Sequence, residues 1–180
     1  MLRERQQEMV VREAALRCAI RAATAQDLPL LEWFGEYRGL RLVDAASWAH
    51  VQAGTLLFFV ADVSGFPVGQ IKVALLHDED DKADGARSGY LYSLRVLAPF
   101  QRLGIGSALI AEAERVLRAR GFEWATIAAE HANHGARRLY ERLGYAAMRR
   151  QRRTWSYHDP DGQAHEVDVD EVLLRKELAG

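Results

Sequence analysis

Gln101-Arg102-Leu103-Gly104-Ile105-Gly106-Ser107 packs two glycines, a cation and a hydroxyl into seven consecutive positions. The segment follows the apolar run YLYSLRVLAPF and opens the amphipathic stretch ALIAEAERVLRARGF. A helix that begins here would leave its first amide N–H groups unpaired, with partial positive charge, where a phosphate fits. Glycine lets the backbone approach closely and adopt positive φ. For a lone Gly-x-Gly, however, a plain strand-to-helix turn is the default reading. Two nucleotide motifs fail outright. A Walker loop needs Gly-Lys-Ser/Thr, and Gly106-Ser107 lacks the lysine; a dinucleotide fingerprint needs a third glycine where Leu109 stands.

Other residues with chemical capacity lie close by in sequence. Tyr140 falls on the apolar face of a predicted helix, which on periodicity alone suits a core aromatic. Asn133 stands where that helix would be capped. Glu130, then His131 and Tyr92, are the nearest candidates for a proton acceptor; each also has an ordinary structural reading. Arg149, Arg150, Arg152 and Arg153 form a basic run on a predicted strand, so alternation divides them between two faces. Trp33, Trp48 and Trp155 can line a pocket or fill the core.

Composition narrows the classes. Of 180 residues, 49% are hydrophobic and 27% charged, and the net charge is −1. That balance argues against a general nucleic-acid binder. Cys18 is the one cysteine, so the chain makes no internal disulfide, and its six histidines are scattered without metal-ligand spacing. No metal is expected. No apolar run approaches the roughly 20 residues of a membrane span, and the charged N-terminus has no signal-like apolar region. The expected location is the cytoplasm.

These residues need a frame to position them. Residues 1–17 read as a charged, helix-prone extension, and 18–180 as one domain. CAIRAAT is a short strand, Thr24 caps a weak helix over AQDLPLLEWF, and VDAASWAHVQAG is another. TLLFFVAD and FPVGQIKVALL form a hairpin about Ser64-Gly65. Residues 77–89 read as an exposed loop whose acidic cluster suits a solvated surface or attracts a cation. YLYSLRVL is a strand, SALIAEAERVLRAR a helix ended by Gly121, EWATIAAE a strand, and HGARRLYERL a helix ended by Gly144. Two strands then flank the turn Asp159-Pro160-Asp161-Gly162. The expected architecture is α/β, with a mixed, mostly antiparallel sheet of about seven strands, helices on both faces and a central β-α-β-α-β unit.

The Q-x-x-G-x-G turn between strand and helix resembles motif A of the GCN5-related N-acetyltransferases, the GNAT superfamily. The downstream stretch AAEHANHGARRLYERLGY matches the family as well, through Asn133, Ala136, Leu139-Tyr140 and Gly144-Tyr145. The resemblance is specific over 90–146, diffuse over 18–76 and absent over 1–17. It implies acetyl-coenzyme A as co-substrate. Its pyrophosphate would lie on Arg102, Leu103, Gly104, Ile105, Gly106 and Ser107, with Gln101 shaping the turn. Backbone near Leu94, Arg95 and Val96, on a bulged and splayed strand, would pair with the pantetheine arm, and an amide near Val96 would polarise the thioester. Asn133 and Ala136 would contact that arm.

The same resemblance implies direct attack by a primary amine, with Tyr140 as general acid toward the leaving thiolate. Many relatives place a carboxylate on the strand before the glycine turn; YLYSLRV has none, which leaves Glu130 as the candidate base. The acceptor is a small-molecule amine or a peptide or protein amine, bound by the segments 28–50 and 150–165. Two alternatives remain open at this level: a non-catalytic acyl-coenzyme A sensor and, less favoured for want of a lysine and an acidic metal pair, a nucleotide-phosphate enzyme. A homodimer through the C-terminal strands or the extension is compatible with the sequence.

Overall fold

A computed structural model describes residues 17–78 and 82–178 of the chain. The expected extension therefore lies outside the described residues, except for Arg17. Among the described residues, seven strands form one sheet: β1 (Ala19–Ala22), β2 (Leu56–Val63), β3 (Phe66–Ala74), β4 (Ser88–Val96), β5 (Trp124–Glu130), β6 (Ala146–His158) and β7 (Ala164–Glu177). Their spatial order is β1-β2-β3-β4-β5-β7-β6, and only β4 and β5 run parallel. The mixed, mostly antiparallel sheet expected from the sequence is present. The central β-α-β-α-β unit is present in chain order; within the sheet, β7 pairs with β5 and separates it from β6.

Among the described residues, three α-helices cover the sheet: α1 (Arg41–Gln52), α2 (Ile105–Ala119) and α3 (His134–Arg142). In α2, Leu109, Ala113 and Leu117 fall on one stripe and are buried against Ile71, Leu91, Ile127 and Leu174 of the sheet. The approach is close: a Cβ on Gly89 would lie 2.5 Å from Leu117 Cδ2, so β4 must carry glycine under the helix. Tyr140 and Tyr145 complete this core from the α3 side. The opposite face packs Phe58 and Val60 with Leu31, Trp33 and, from α1, Trp48 and Val51. Helices thus lie on both faces, as expected.

Two local expectations are corrected. The segment AQDLPLLEWF is not one helix but short 3₁₀ turns at Ala25–Asp27 and Leu30–Glu32. Pro29 removes an amide between them, and Trp33 and Phe34 turn to φ 42° and 61°, which ends any helix. In the loop 77–89, residues 79–81, most of the acidic cluster, lie outside the described residues, and the part that follows them is not simply exposed. Lys82 and Ala83 are fully buried, and Asp84 accepts the amides of Ala86, Arg87 and Ser88, which folds the loop onto the sheet.

Candidate active site

The geometry of the site begins in β4. Gln70 pairs with Arg95 and Lys72 with Tyr92, so Ser93 and Leu94 together oppose Ile71. This is a β-bulge, and Ser93 adopts φ 54° within it. The extra residue reverses the alternation. Leu94 and Val96 join the core beneath α2, while Arg95 emerges on the opposite face near Trp33 and Tyr37. On its other side β4 pairs with β5 only over Ser88–Leu91 and Trp124–Ile127. Beyond Leu91 and Ile127 the two strands part, leaving a gap flanked by Tyr92–Val96 and Ala128–Glu130.

The glycine turn stands at one end of that gap. Gln101 donates from Nε2 to the Val96 carbonyl at 2.9 Å and ties the turn back to β4. Arg102 and Gly104 take φ 61° and 85°, and a Cβ at Gly104 would meet nothing within 4 Å. The first bond into α2 runs from the Ala108 amide to the Gly104 carbonyl at 3.0 Å. Among the described residues, none of the six amides from Arg102 to Ser107 donates to a backbone carbonyl. Six consecutive amides without backbone partners at a helix start, with open space at Gly104, are chemically suited to an anion.

Helix α3 faces the same gap from β5. Asn133 caps it, accepting the Ala136 amide on Oδ1 at 3.0 Å. The capping reading of Asn133 is therefore realised, and Ala136 is the residue it fixes. A Cβ on Gly106 would lie 3.8 Å from Leu139 Cδ2 and 3.9 Å from Leu94 Cδ2, so α3, β4 and the start of α2 converge there. Tyr140, the next residue, is 5% exposed, and burial pushes its phenol up to about 12. No described residue hydrogen-bonds its hydroxyl. Tyr145, by contrast, donates to Glu114 Oε1 at 3.0 Å, and Lys176 and Arg118 bond the same carboxylate. Of the two tyrosines, Tyr145 is tied into the frame and Tyr140 keeps a free hydroxyl. Glu130 ends β5 with an exposed side chain.

On the other face a buried polar band crosses the gap, and sequence reasoning missed it. Lys72 Nζ donates to Asp44 Oδ1 at 2.5 Å and to Ser47 Oγ at 2.9 Å, and all three are buried. Burial holds Lys72 below the ordinary lysine range. Lys82 Nζ lies 3.1 Å from Glu171 Oε1, which also accepts from Gln151 and Arg153. Burial would raise the Glu171 carboxyl, but the bonds from Gln151 and Lys82 outweigh it and hold the group below its usual range. Stacked Tyr90 and Tyr92 separate the two pairs. One signal was available: Lys72 stands between Ile71 and Val73 on an apolar strand, where a charge needs a partner.

The segments expected to bind the acceptor meet across this face. Strands β6 and β7 extend beyond β5 as a two-stranded ribbon. Trp155, Tyr157 and His165 stack along it at 5.1 and 4.9 Å, so Trp155 belongs to the ribbon and not to the core. At the ribbon tip Asp161 forms two bonds with Arg38, at 2.8 and 3.0 Å. The arginine run divides as alternation required: Arg150 and Arg152 face Asp170, and Arg153 faces Glu171. No group of His, Cys, Asp and Glu among the described residues is arranged to hold a metal ion. No described helix is long and apolar enough to cross a membrane.

Known proteins share this fold. The model of the Acetyltransferase (GNAT) family matches residues 22–145. N-alpha-acetyltransferase MAK3 of Arabidopsis thaliana is 39% identical over 62 residues, 34% of this chain and 33% of that protein, so the chain matches about a third of this curated relative's length. Among solved structures, the ribosomal-protein-S18-alanine N-acetyltransferase of Escherichia coli superposes with a TM-score of 0.67 at 20% identity, over 91% of this chain and 96% of that one. Arabidopsis thaliana NAA60, in complex with acetyl-CoA, gives 0.66 at 19% identity, over 91% and 100%. At these identities the structures share the fold.

Proposed function

Given that the chain belongs to the acetyltransferase (GNAT) family, we propose that it moves an acetyl group from acetyl-coenzyme A to a primary amine by direct attack on the thioester. The observation that carries the reading is the row of six free amides at the head of α2, beside the gap between β4 and β5. The relatives in hand support the co-substrate: NAA60 was solved with acetyl-CoA.

Acetyl-coenzyme A supplies a thioester activated toward amines. In this reading Arg102, Leu103, Gly104, Ile105, Gly106 and Ser107 bind its pyrophosphate, with Gln101 holding the turn. Leu94, Arg95 and Val96 present backbone groups to its arm, because the bulge and the parting of β5 free that edge. The Val96 amide is assigned to the carbonyl oxygen, where a fixed dipole counters developing negative charge. Asn133 and Ala136 border the arm from α3. Tyr140 donates its proton to the departing sulfur; a phenol held near 12 stays protonated at neutral pH. Glu130, exposed at the end of β5, takes the amine proton through water. The acceptor enters between residues 28–50 and the β6–β7 ribbon, and is a small-molecule amine or a peptide amine.

Thermal shift with coenzyme A, acetyl-coenzyme A, ATP and NAD, followed by thiol release on a panel of amines, tests this. A ligand at about 100 times its Kd adds roughly 2.7 kcal/mol to the native state. Stabilisation by both coenzyme A forms and amine-dependent thiol release are expected. No shift with either form overturns the reading; a shift without thiol release on any amine turns it into a sensor of acyl-coenzyme A.

A further inference from the structure

We propose that Arg95 binds a carboxylate on the acetyl acceptor, which makes the acceptor an amino-carboxylate, a small molecule with its amine close to an acidic group. The inference rests on the acetyltransferase reading above and names the acceptor class for that same site. It starts from the bulge at Ser93 and Leu94, which turns Arg95 onto the face opposite α2, beside the residues assigned to the thioester. There the guanidinium lies 4.3 Å from the ring centre of Tyr37 and 6.0 Å from that of Trp33. The side chain is 12% exposed.

Its bonding is incomplete. Arginine carries five N–H donors and no acceptor. One nitrogen, Nη2, lies 3.4 Å from Asp44 Oδ2, a long contact to a carboxylate already engaged by Lys72 at 2.5 Å. The other two nitrogens, Nε and Nη1, are buried and have no acceptor among the described residues. Buried donors are ordinarily paired, so two on one guanidinium mark a place where an acceptor oxygen is missing. The local charge tells which kind. Lys72 and Arg95 are two cations sharing one carboxylate, Asp44, and both side chains are largely buried beside aromatic rings. An anion completes that balance, whereas a neutral carbonyl leaves it unfilled. Nε and Nη1 lie on different edges of the guanidinium, so a carboxylate takes two parallel bonds by pairing one of them with Nη2, and stacking on Tyr37 holds the plane. The excess positive charge also disfavours a cationic group beside the amine, against the hint from the acidic loop.

The test compares N-acetyl-glycine, N-acetyl-L-alanine, N-acetyl-L-leucine and N-acetyl-L-phenylalanine with their primary amides, as ligands in thermal shift with and without coenzyme A. At least one acid should stabilise the wild type where its amide does not, and Arg95→Met should lose that difference. In turnover, amino acids should be preferred over their amides, and Arg95→Met should lower kcat/KM for the acid by about 10- to 100-fold. Arg95→Lys keeps the charge but not the fork and should recover only part of it. Equal response of wild type to acids and amides, no response to any of them, or an unchanged preference in Arg95→Met overturns the assignment. The shift with coenzyme A alone judges the parent reading separately. If it is absent, the acetyltransferase assignment falls and the role of Arg95 falls with it; if it is present, the acid–amide comparison decides.

Discussion

Arg38 and Asp161 are 123 positions apart, yet they form a two-bond ion pair at 2.8 and 3.0 Å. Both side chains are at least half exposed. The pair joins the turn ahead of α1 to the tip of the β6–β7 ribbon and bridges the face on which the acceptor is proposed to enter.

A solvent-exposed pair adds little to stability and is weakened by salt. Arg38→Ala should therefore leave the melting temperature almost unmoved. It should change the acceptor KM by a few-fold with kcat nearly constant, and high salt should produce the same change in the wild type. Steady-state kinetics at two ionic strengths check this. A fall in kcat at constant KM would show that the pair acts on the chemistry instead.

Gly104 holds φ 85° with open space around it. Gly104→Ala meets no clash, but it places a Cβ in left-handed backbone, at a cost of about 1–2 kcal/mol. The expected result is a lower melting temperature together with weaker coenzyme A binding, measured by calorimetry. Gly104→Asn should lie between the two, since asparagine tolerates that conformation better.

Tyr140→Phe removes a hydroxyl that no described residue bonds. Stability should hardly change, while kcat falls about 10²- to 10⁴-fold if the hydroxyl is the proton donor. The sign of the pH effect follows from the raised phenol. Its folded value, about 12, lies above the ordinary 10.0, so the folded state favours the protonated form. That contribution is complete below pH 10 and is lost as pH rises toward 12. The wild type should soften over that window more than Tyr140→Phe does, as read by melting temperature against pH.

Asp44 holds the buried Lys72. Asp44→Asn strands that charge and should cost about 3–5 kcal/mol. The double variant Asp44→Asn with Lys72→Met should recover the part of the loss that belongs to Lys72, since an apolar replacement needs no partner, but not the part that belongs to Arg95, whose Nη2 also loses Asp44. Urea unfolding of the single and double variants gives the coupling directly. Additive losses would mean that the two groups do not depend on each other.

Local patterns made much of this fold readable. The stripe of Leu109, Ala113 and Leu117 announced α2, and Asn133 announced the start of α3. The glycine turn was legible because φ 85° at Gly104 is a local requirement with a residue-level signature. The rest depended on partners distant in sequence. Nothing near Arg95 indicates that a bulge turns it away from the core, because the bulge is a relation between β4 and β3. Glu171 and Lys82 lie 89 positions apart and meet only once β7 has been placed beside β5. Thr24 signals a helix start, but at 25–32 Pro29 and the positive φ of Trp33 leave only short 3₁₀ turns.

The placement of β7 between β5 and β6 also sets a schedule for the newborn chain. A ribosome makes β6 first, and at about 5–20 residues per second the strand that will pair with it follows seconds later. Through that interval β6 has no neighbour, and β5 offers an open edge. Edges of that kind invite pairing between separate copies, and charge along a strand discourages it. Arg149, Arg150, Arg152 and Arg153 lie on β6, and the chain that waits with them exposed repels its own kind until β7 arrives.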